Sequence, residues 1–252
     1  MPIYNKIYDF CKVRNNGNIF KNGKTPTPRV EFLLNLLESL NINYDLDEFP
    51  IDDENMGFNI NLPGNSDQFV VAHHDINNPY SENANDNSCS IINCIAVKIL
   101  DPSINVCLLD GEEFGGYGSE HLSKRINNGD FGNVRWILNL ELSGAGGKNF
   151  FIGNHPGPLS DRIISIFGCP VVKTPFNDSF IFNRNGIDST VINPLPVIEK
   201  KSPIQLIDGR YLDYKRLFLC HSMEDTTDKI SPEEMKEFVE EVILKIISKN
   251  EK

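Results

Sequence analysis

The sequence predicts a three-layer α/β fold, with a mixed, largely parallel β-sheet and helices on both faces, and three observations point to it. From Ser90 onward, apolar segments of strand length alternate with segments of helical period, the arrangement that packs helices on a parallel or mixed sheet. The chain has 252 residues, 40% of them hydrophobic and 23% charged, enough for one large α/β core and too apolar for disorder. The final segment carries a strong helix start and an apolar stripe suited to closing such a core. Residues 1–252 are therefore expected to form one domain, without linker, repeat or low-complexity segment.

Each element follows in chain order. A short helix is expected over Ile3–Lys12, then a polar, glycine-containing loop from Asn15 to Pro28. Val30, Leu33, Leu34, Leu37 and Leu40 share one face at helical spacing, and the alternating stretch Tyr44–Phe49 begins the strands. Met56–Leu62 and Gln68–His73 read as the next two, with Pro63-Gly64-Asn65 as the turn between them. Helix Ser90–Leu100, strand Ile104–Leu109, helix Gly118–Arg125 and strand Val134–Leu140 come next. The second half reads as strand Phe150–Gly153, helix Leu159–Phe167, strand Val171–Lys173, helix Phe180–Asn185, strand Thr190–Asn193 and strand Leu217–Cys220. Ser231-Pro232-Glu233-Glu234 combines an N-cap serine, a proline in the first turn and a capping-box glutamate. Met235, Phe238, Val239, Val242 and Ile246 then form the stripe of the closing helix.

Charge and apolar-run length narrow the partners. Lys and Arg total 24 against 35 Asp and Glu, and the net charge of -11 disfavours nucleic acid and anionic lipid. No run of eighteen apolar residues is present, so no membrane span is expected. Met1–Cys11 lacks a basic region followed by an apolar one, so no secretory signal is read and a cytoplasmic protein is expected. The six cysteines lack a C-x-x-C pair and are expected to be reduced, structural thiols rather than a disulfide framework or a sulfur zinc site.

In open α/β sheets functional groups gather beyond the carboxyl ends of the strands, so the polar residues ending each apolar run are the candidates. Phe69-Val70-Val71-Ala72 runs into His73-His74-Asp75, where a period of two puts His73 and Asp75 on one side and His74 on the other. That pairing suits a metal-bound imidazole and its orienting carboxylate, although a lone strand-end histidine is more often simply hydrogen-bonded. The polar loop Asn83–Ser88 offers Asp86, which with Ser88 is also a candidate helix N-cap. Asp110-Gly111-Glu112-Glu113 ends the next strand, and its paired carboxylates suit one metal ligand and one proton carrier, or else an exposed acidic loop. Glu141 and His221 complete the set at two further run ends, giving two histidines and three carboxylates, with Glu112 spare, a nitrogen and oxygen set that zinc accepts.

These motifs resemble, in order, those of the zinc-dependent aminopeptidases of the bacterial leucyl aminopeptidase type. Their superfamily also includes glutamate carboxypeptidase and glutaminyl cyclase. The matching segments are His-x-Asp at His73 and Asp75, Asn-Asp-Asn at Asp86, Gly-Glu-Glu-x-Gly at Glu112 and Glu113, Asn-Leu-Glu at Glu141, and His-x-x-x-Asp-Thr at His221. Asn177-Asp178-Ser179, Phe182 and Gly186-Ile187 are similar to a further family segment. The resemblance implies a zinc exopeptidase fold and two zinc ions, with cobalt or manganese as alternatives. It implies that His73, Asp86 and Glu141 hold one ion and Asp86, Glu113 and His221 the other, Asp86 being shared. Glu112 is then the general base, which takes a proton from the attacking water and returns it to the leaving amine. Asp75 orients His73, and Asp225 and Thr226 hold the loop after His221.

Several positions depart from the family pattern. Glu141 stands where an aspartate is common, Ser179 replaces a histidine and Asp188 a proline, the last two at positions expected near the substrate pocket. Tyr211 and Tyr214 are candidates for polarising a scissile carbonyl, or else packing residues. The expected partner is a peptide with a free N-terminus, and the sequence carries no signal of oligomeric state. The alternatives are a glutaminyl-cyclase-like acyl transfer on one zinc, and a non-catalytic relative serving as a binding module.

Overall fold

The computed structural model describes residues 2–13, 23–195 and 219–248. A 3-10 turn, Pro2–Lys6, runs into α1 (Ile7–Phe10), and α2 (Pro28–Ser39) follows, with Thr27 Oγ1 accepting from Val30 N at its start. The strands are β1 (Asp45–Pro50), β2 (Met56–Leu62), β3 (Gln68–His73), β4 (Asn105–Leu109), β5 (Trp136–Leu140), β6 (Phe150–Gly153), β7 (Val171–Val172) and β8 (Ser189–Pro194). Between them lie α3 (Cys89–Leu100), α4 (Tyr117–Asn127), α5 (Pro158–Phe167) and α6 (Asp178–Arg184). The closing helix, α7, comprises Pro232–Phe238, a π-helical turn Val239–Ile243, and Leu244–Ile247.

The eight described strands form one sheet in the order β1-β2-β4-β3-β5-β8-β6-β7. Strands β4, β3, β5 and β8 run parallel, while β2 joins β4 and β6 joins β8 antiparallel. Alternation along each strand feeds two cores. Val70 and Ala72 of β3 and Leu138 and Leu140 of β5 pack with the apolar faces of α2, α3, α5 and α7. Phe69, Val71, Cys107, Leu109 and Ile137 face the other way, onto Leu122 and Ile126 of α4 and Phe182 of α6. The result is the expected three-layer arrangement, and the parallel strands bring their carboxyl ends to one edge.

Two local features are set by contacts distant in the chain. Strands β2 and β3 are not neighbours; β4 lies between them, because the crossover through α3 returns the chain to that side of β3. The capping box at α7 is half made. Ser231 Oγ accepts from Glu234 N at 3.2 Å, but Ser231 N donates to Gly144 O at 2.8 Å and Glu234 accepts from Gly146 N. The cap thus docks α7 onto the loop that follows β5. Five of the six cysteines are buried and Cys169 is half-buried.

Strand β1 is tied to α4 by Asp47, which accepts from Arg125 Nη1 at 2.7 Å and faces His121 Nε2 at 3.1 Å. Burial opposes the Asp47 charge, but the bonds from His121 and Arg125 outweigh it and hold the carboxyl below its ordinary 3.8. Its contribution to stability is therefore present above that value and lost as the pH falls through the lower folded one. Asp47→Asn is expected to lower Tm at neutral pH, and the difference from the parent should close as thermal scans move below about pH 3.8.

Candidate metal centre and active site

The site assembles where β3, β4 and β5 end. His73 is the last residue of β3, Glu112 and Glu113 lie in the turn after β4, and Glu141 follows β5. Asp86 sits in the turn Ala84–Ser88 ahead of α3, where Asp86 and Asn87 leave helical geometry. Asp86 is thus not a helix cap: its carboxylate faces both histidines, and neither Asp86 nor Ser88 gives α3 a side-chain cap bond. Leu219 and Cys220 form no strand, so the strand expected over Leu217–Cys220 is not seen there, and its first two residues lie outside the described ones. His221 instead occupies a turn. Tyr211 and Tyr214 also lie outside the described residues.

The distances divide the polar groups into two sets that share Asp86. His73 Nε2 lies 3.4 Å from Asp86 Oδ1 and 3.5 Å from Glu141 Oε2. His221 Nε2 lies 3.3 Å from Asp86 Oδ2 and 3.1 Å from Glu113 Oε2. A tetrahedral zinc with bonds of about 2.0–2.1 Å holds its ligand atoms roughly 3.4 Å apart. One donor atom each from His73, Asp86 and Glu113 also falls within 4.8 Å of the others. Glu113 Oε1 is buried without a hydrogen-bond partner among the described residues. Among the described residues no lysine or arginine pairs with Asp86, Glu112, Glu113 or Glu141, so their charge has only the two imidazoles to offset it. Buried carboxylates need cations or protons, and this donor set fits a pair of divalent ions.

The electrostatics express the same excess of acid. Burial disfavours a charged His73, yet Glu141, with Asp75 and Asp86 also beside the ring, holds its pKa well above the ordinary value. Bonds to Asp86 and Glu113 raise His221 to about 10 against its burial. Burial first, then Glu141, Asp178 and Glu113, raise Glu112, with His73 opposing. Metal uptake must displace the imidazole protons, so affinity should rise with pH.

Around these groups a second ring of bonds fixes the loops. Asp75 Oδ1 lies 3.3 Å from His73 Nδ1, and its carboxylate accepts from Glu112 N and Glu113 N at 3.2 and 3.0 Å. His74 points the other way and meets Phe58 O at 2.8 Å. Gly111, at φ 77°, makes the turn that aims those two amides at Asp75; a side chain there would be strained and would crowd Tyr117. Asp225 accepts from Asn85 N and Asp86 N at 2.7 and 3.0 Å, the loop-holding part expected of it. Thr226 Oγ1 bonds within its own turn, to Glu224 O and Asp228. Asn83, Leu142 and His221 adopt positive φ in the loops carrying Asp86, Glu141 and His221, a conformation that costs of order 1–3 kcal/mol per non-glycine residue.

Sequence reasoning missed two asparagines. Asn87 Nδ2 donates to Glu141 Oε2 at 3.0 Å and Asn139 Nδ2 to Glu141 Oε1 at 3.3 Å, so both oxygens of Glu141 are held. The run Asn-Leu-Glu contains Asn139, and its period of two places it beside Glu141, the one available signal. Asp188 accepts from Leu159 N at 2.8 Å, at the start of α5, and Ser179 bonds Ser189 Oγ at 3.0 Å. Neither borders the pocket. Asp178 is fully buried, and burial pushes its carboxyl up to about 7.

The site opens into a cavity of about 370 Å³ with Leu142, Pro175, Phe176 and Val191 among its apolar walls. Glu112 borders it, and its carboxylate has no hydrogen-bond or ion-pair partner among the described residues. Among the described residues no lysine or arginine lines the cavity.

The profile of Peptidase family M28 matches residues 60–246. A search of curated proteins finds no match. Among solved structures, the chain is similar to a leucine aminopeptidase precursor from Bacteroides thetaiotaomicron, with 16% identity, a TM-score of 0.69, and 99% of this chain and 96% of that chain covered. It is similar to a glutaminyl cyclase from an Acidobacteriales bacterium, at 18% identity and TM-score 0.68, covering 97% of this chain and 92% of that one. Against the zinc aminopeptidase of Bacillus subtilis identity is 17% and the TM-score 0.60; 79% of this chain is covered, and it spans about half, 52%, of that one. No described helix is long and apolar enough to cross a membrane.

Proposed function

The chain belongs to Peptidase family M28, and we propose that it is a dinuclear zinc aminopeptidase, removing N-terminal residues from peptides. The observation that carries this reading is the split of the Asp86 carboxylate, one oxygen toward His73 and the other toward His221. His73, Asp86 and Glu141 would hold one ion, and Asp86, Glu113 and His221 the other. Such a pair supplies Lewis acidity to the scissile carbonyl and makes water acidic enough to attack near neutral pH.

The chain's own residues do the rest. Glu112, unpaired at the cavity wall, takes a proton from the attacking water and gives it to the departing amine as the carbon–nitrogen bond breaks. Asp75 keeps the His73 ring in orientation, and Asn87 and Asn139 do the same for Glu141. Glu112, Glu113 and Glu141 line the cavity and no described lysine or arginine does, which suits a substrate ammonium over a terminal carboxylate. Its apolar walls leave room for an uncharged side chain.

Peptides of one sequence with free and acetylated N-termini test this directly. The zinc-loaded protein should release a free amino acid from the first and leave the second uncut. Cleavage of the acetylated peptide at an internal bond would make it an endopeptidase.

A further inference from the structure

Arg29 lies in the first turn of α2 and is only 1% exposed, yet none of its described hydrogen-bond partners is a carboxylate. A buried guanidinium is expensive unless its donors are used. Nε donates to His74 O at 3.0 Å, Nη2 to Ser88 Oγ at 2.9 Å and Nη1 to Val13 O at 3.4 Å. The group also stacks 4.0 Å over the Phe10 ring. Two of these partners matter for the site. His74 is the residue between His73 and Asp75, and Ser88 ends the turn that carries Asp86, its hydroxyl donating onward to Asn83 O at 2.6 Å. Burial opposes the guanidinium charge, and Asp75 and Asp225 favour it. Those two aspartates are the ones that hold the amides of Glu112, Glu113, Asn85 and Asp86.

We propose that Arg29 is a positioning residue for the metal centre, the tie that sets His73 against Asp86. The inference rests on the metal-binding reading above. The planar fork is what the task needs: two donors on different atoms span the end of β3 and the Asp86 turn at once, which a lysine ammonium cannot reproduce. Loss of a bond made directly to a metal ligand typically weakens metal affinity by about 10–100-fold, and a tie to the backbone and turn that carry the ligands is expected at the lower end of that range. A role confined to folding would lower Tm and leave the affinity of the folded protein unchanged.

The test is zinc affinity of the metal-free full chain, by competition with a chromophoric chelator, together with the visible absorption of the cobalt-substituted protein. Both are recorded at a temperature where circular dichroism shows each variant folded. Arg29→Lys and Arg29→Met should bind zinc about tenfold or more weaker and show an altered cobalt spectrum, with Arg29→Met the weaker. Ser88→Ala, which cuts the link to the Asp86 turn and keeps the buried charge, should show a smaller loss in the same direction. A folded Arg29→Lys with parental zinc affinity and cobalt spectrum would overturn the proposal. If neither Arg29 variant folds, Ser88→Ala decides it, parental affinity counting against. A parent chain that takes up no zinc would overturn the metal-centre reading and this inference with it, a result distinct from parental affinity in the variants.

Discussion

Asp86→Ala is expected to abolish peptide hydrolysis and to remove both metal ions together. Its two oxygens face different histidines, at 3.4 and 3.3 Å, and among the described residues no other carboxylate pairs with both. Removing it leaves each set with one histidine and one glutamate, fewer protein ligands than the three of a catalytic zinc site. His73→Ala, by contrast, should weaken mainly the ion shared with Glu141. Elemental analysis after dialysis reads the difference. An Asp86→Ala protein that keeps one tightly held zinc, or parental content, would show that Asp86 is not shared.

Glu112→Gln is the second large effect, and its sign separates two chemically alike neighbours. Glutamine keeps the shape and removes the basic oxygen, so turnover should fall by about a hundredfold or more while metal content and Tm stay near parental. Glu113→Gln should lose metal first, because Glu113 Oε2 lies 3.1 Å from His221 Nε2 and also accepts from Asn77 at 3.1 Å. The asymmetry is already visible in the bonding: Glu113 is held from two sides, whereas the Glu112 carboxylate has no described partner. A Glu112→Gln variant stripped of zinc beside a loaded Glu113→Gln would reverse the two roles.

Much of this was legible in the sequence, for reasons that differ by level. Strands β2, β3 and β6 begin and end where their apolar patterns do, since alternation and turn residues are local signals. Of the seven site residues named from run ends and motifs, His73, Asp75, Glu112, Glu113 and Glu141 are gathered because parallel strands end at one edge, and Asp86 and His221 reach it from turns. The insertion of β4 between β2 and β3 was not legible, because strand order depends on the crossover and not on either strand's own pattern. Arg29 was hidden for a related reason. On the helix it is one polar residue beside Val30, and only its partners at His74 and Ser88, 45 and 59 residues away in the chain, give it a part in the site. Glu234 looked like a capping-box partner, but the amide of Gly146 lies within its reach and takes its place.

Hydrolysis is distinguished from acyl transfer most directly by a peptide that both reactions accept. The zinc-loaded protein is incubated with an unblocked peptide whose first residue is glutamine, and the products are identified by mass spectrometry. The two-metal hydrolase proposed here predicts free glutamine and a peptide one residue shorter. A full-length peptide that has lost ammonia and carries an N-terminal pyroglutamate, with no amino acid released, would contradict it.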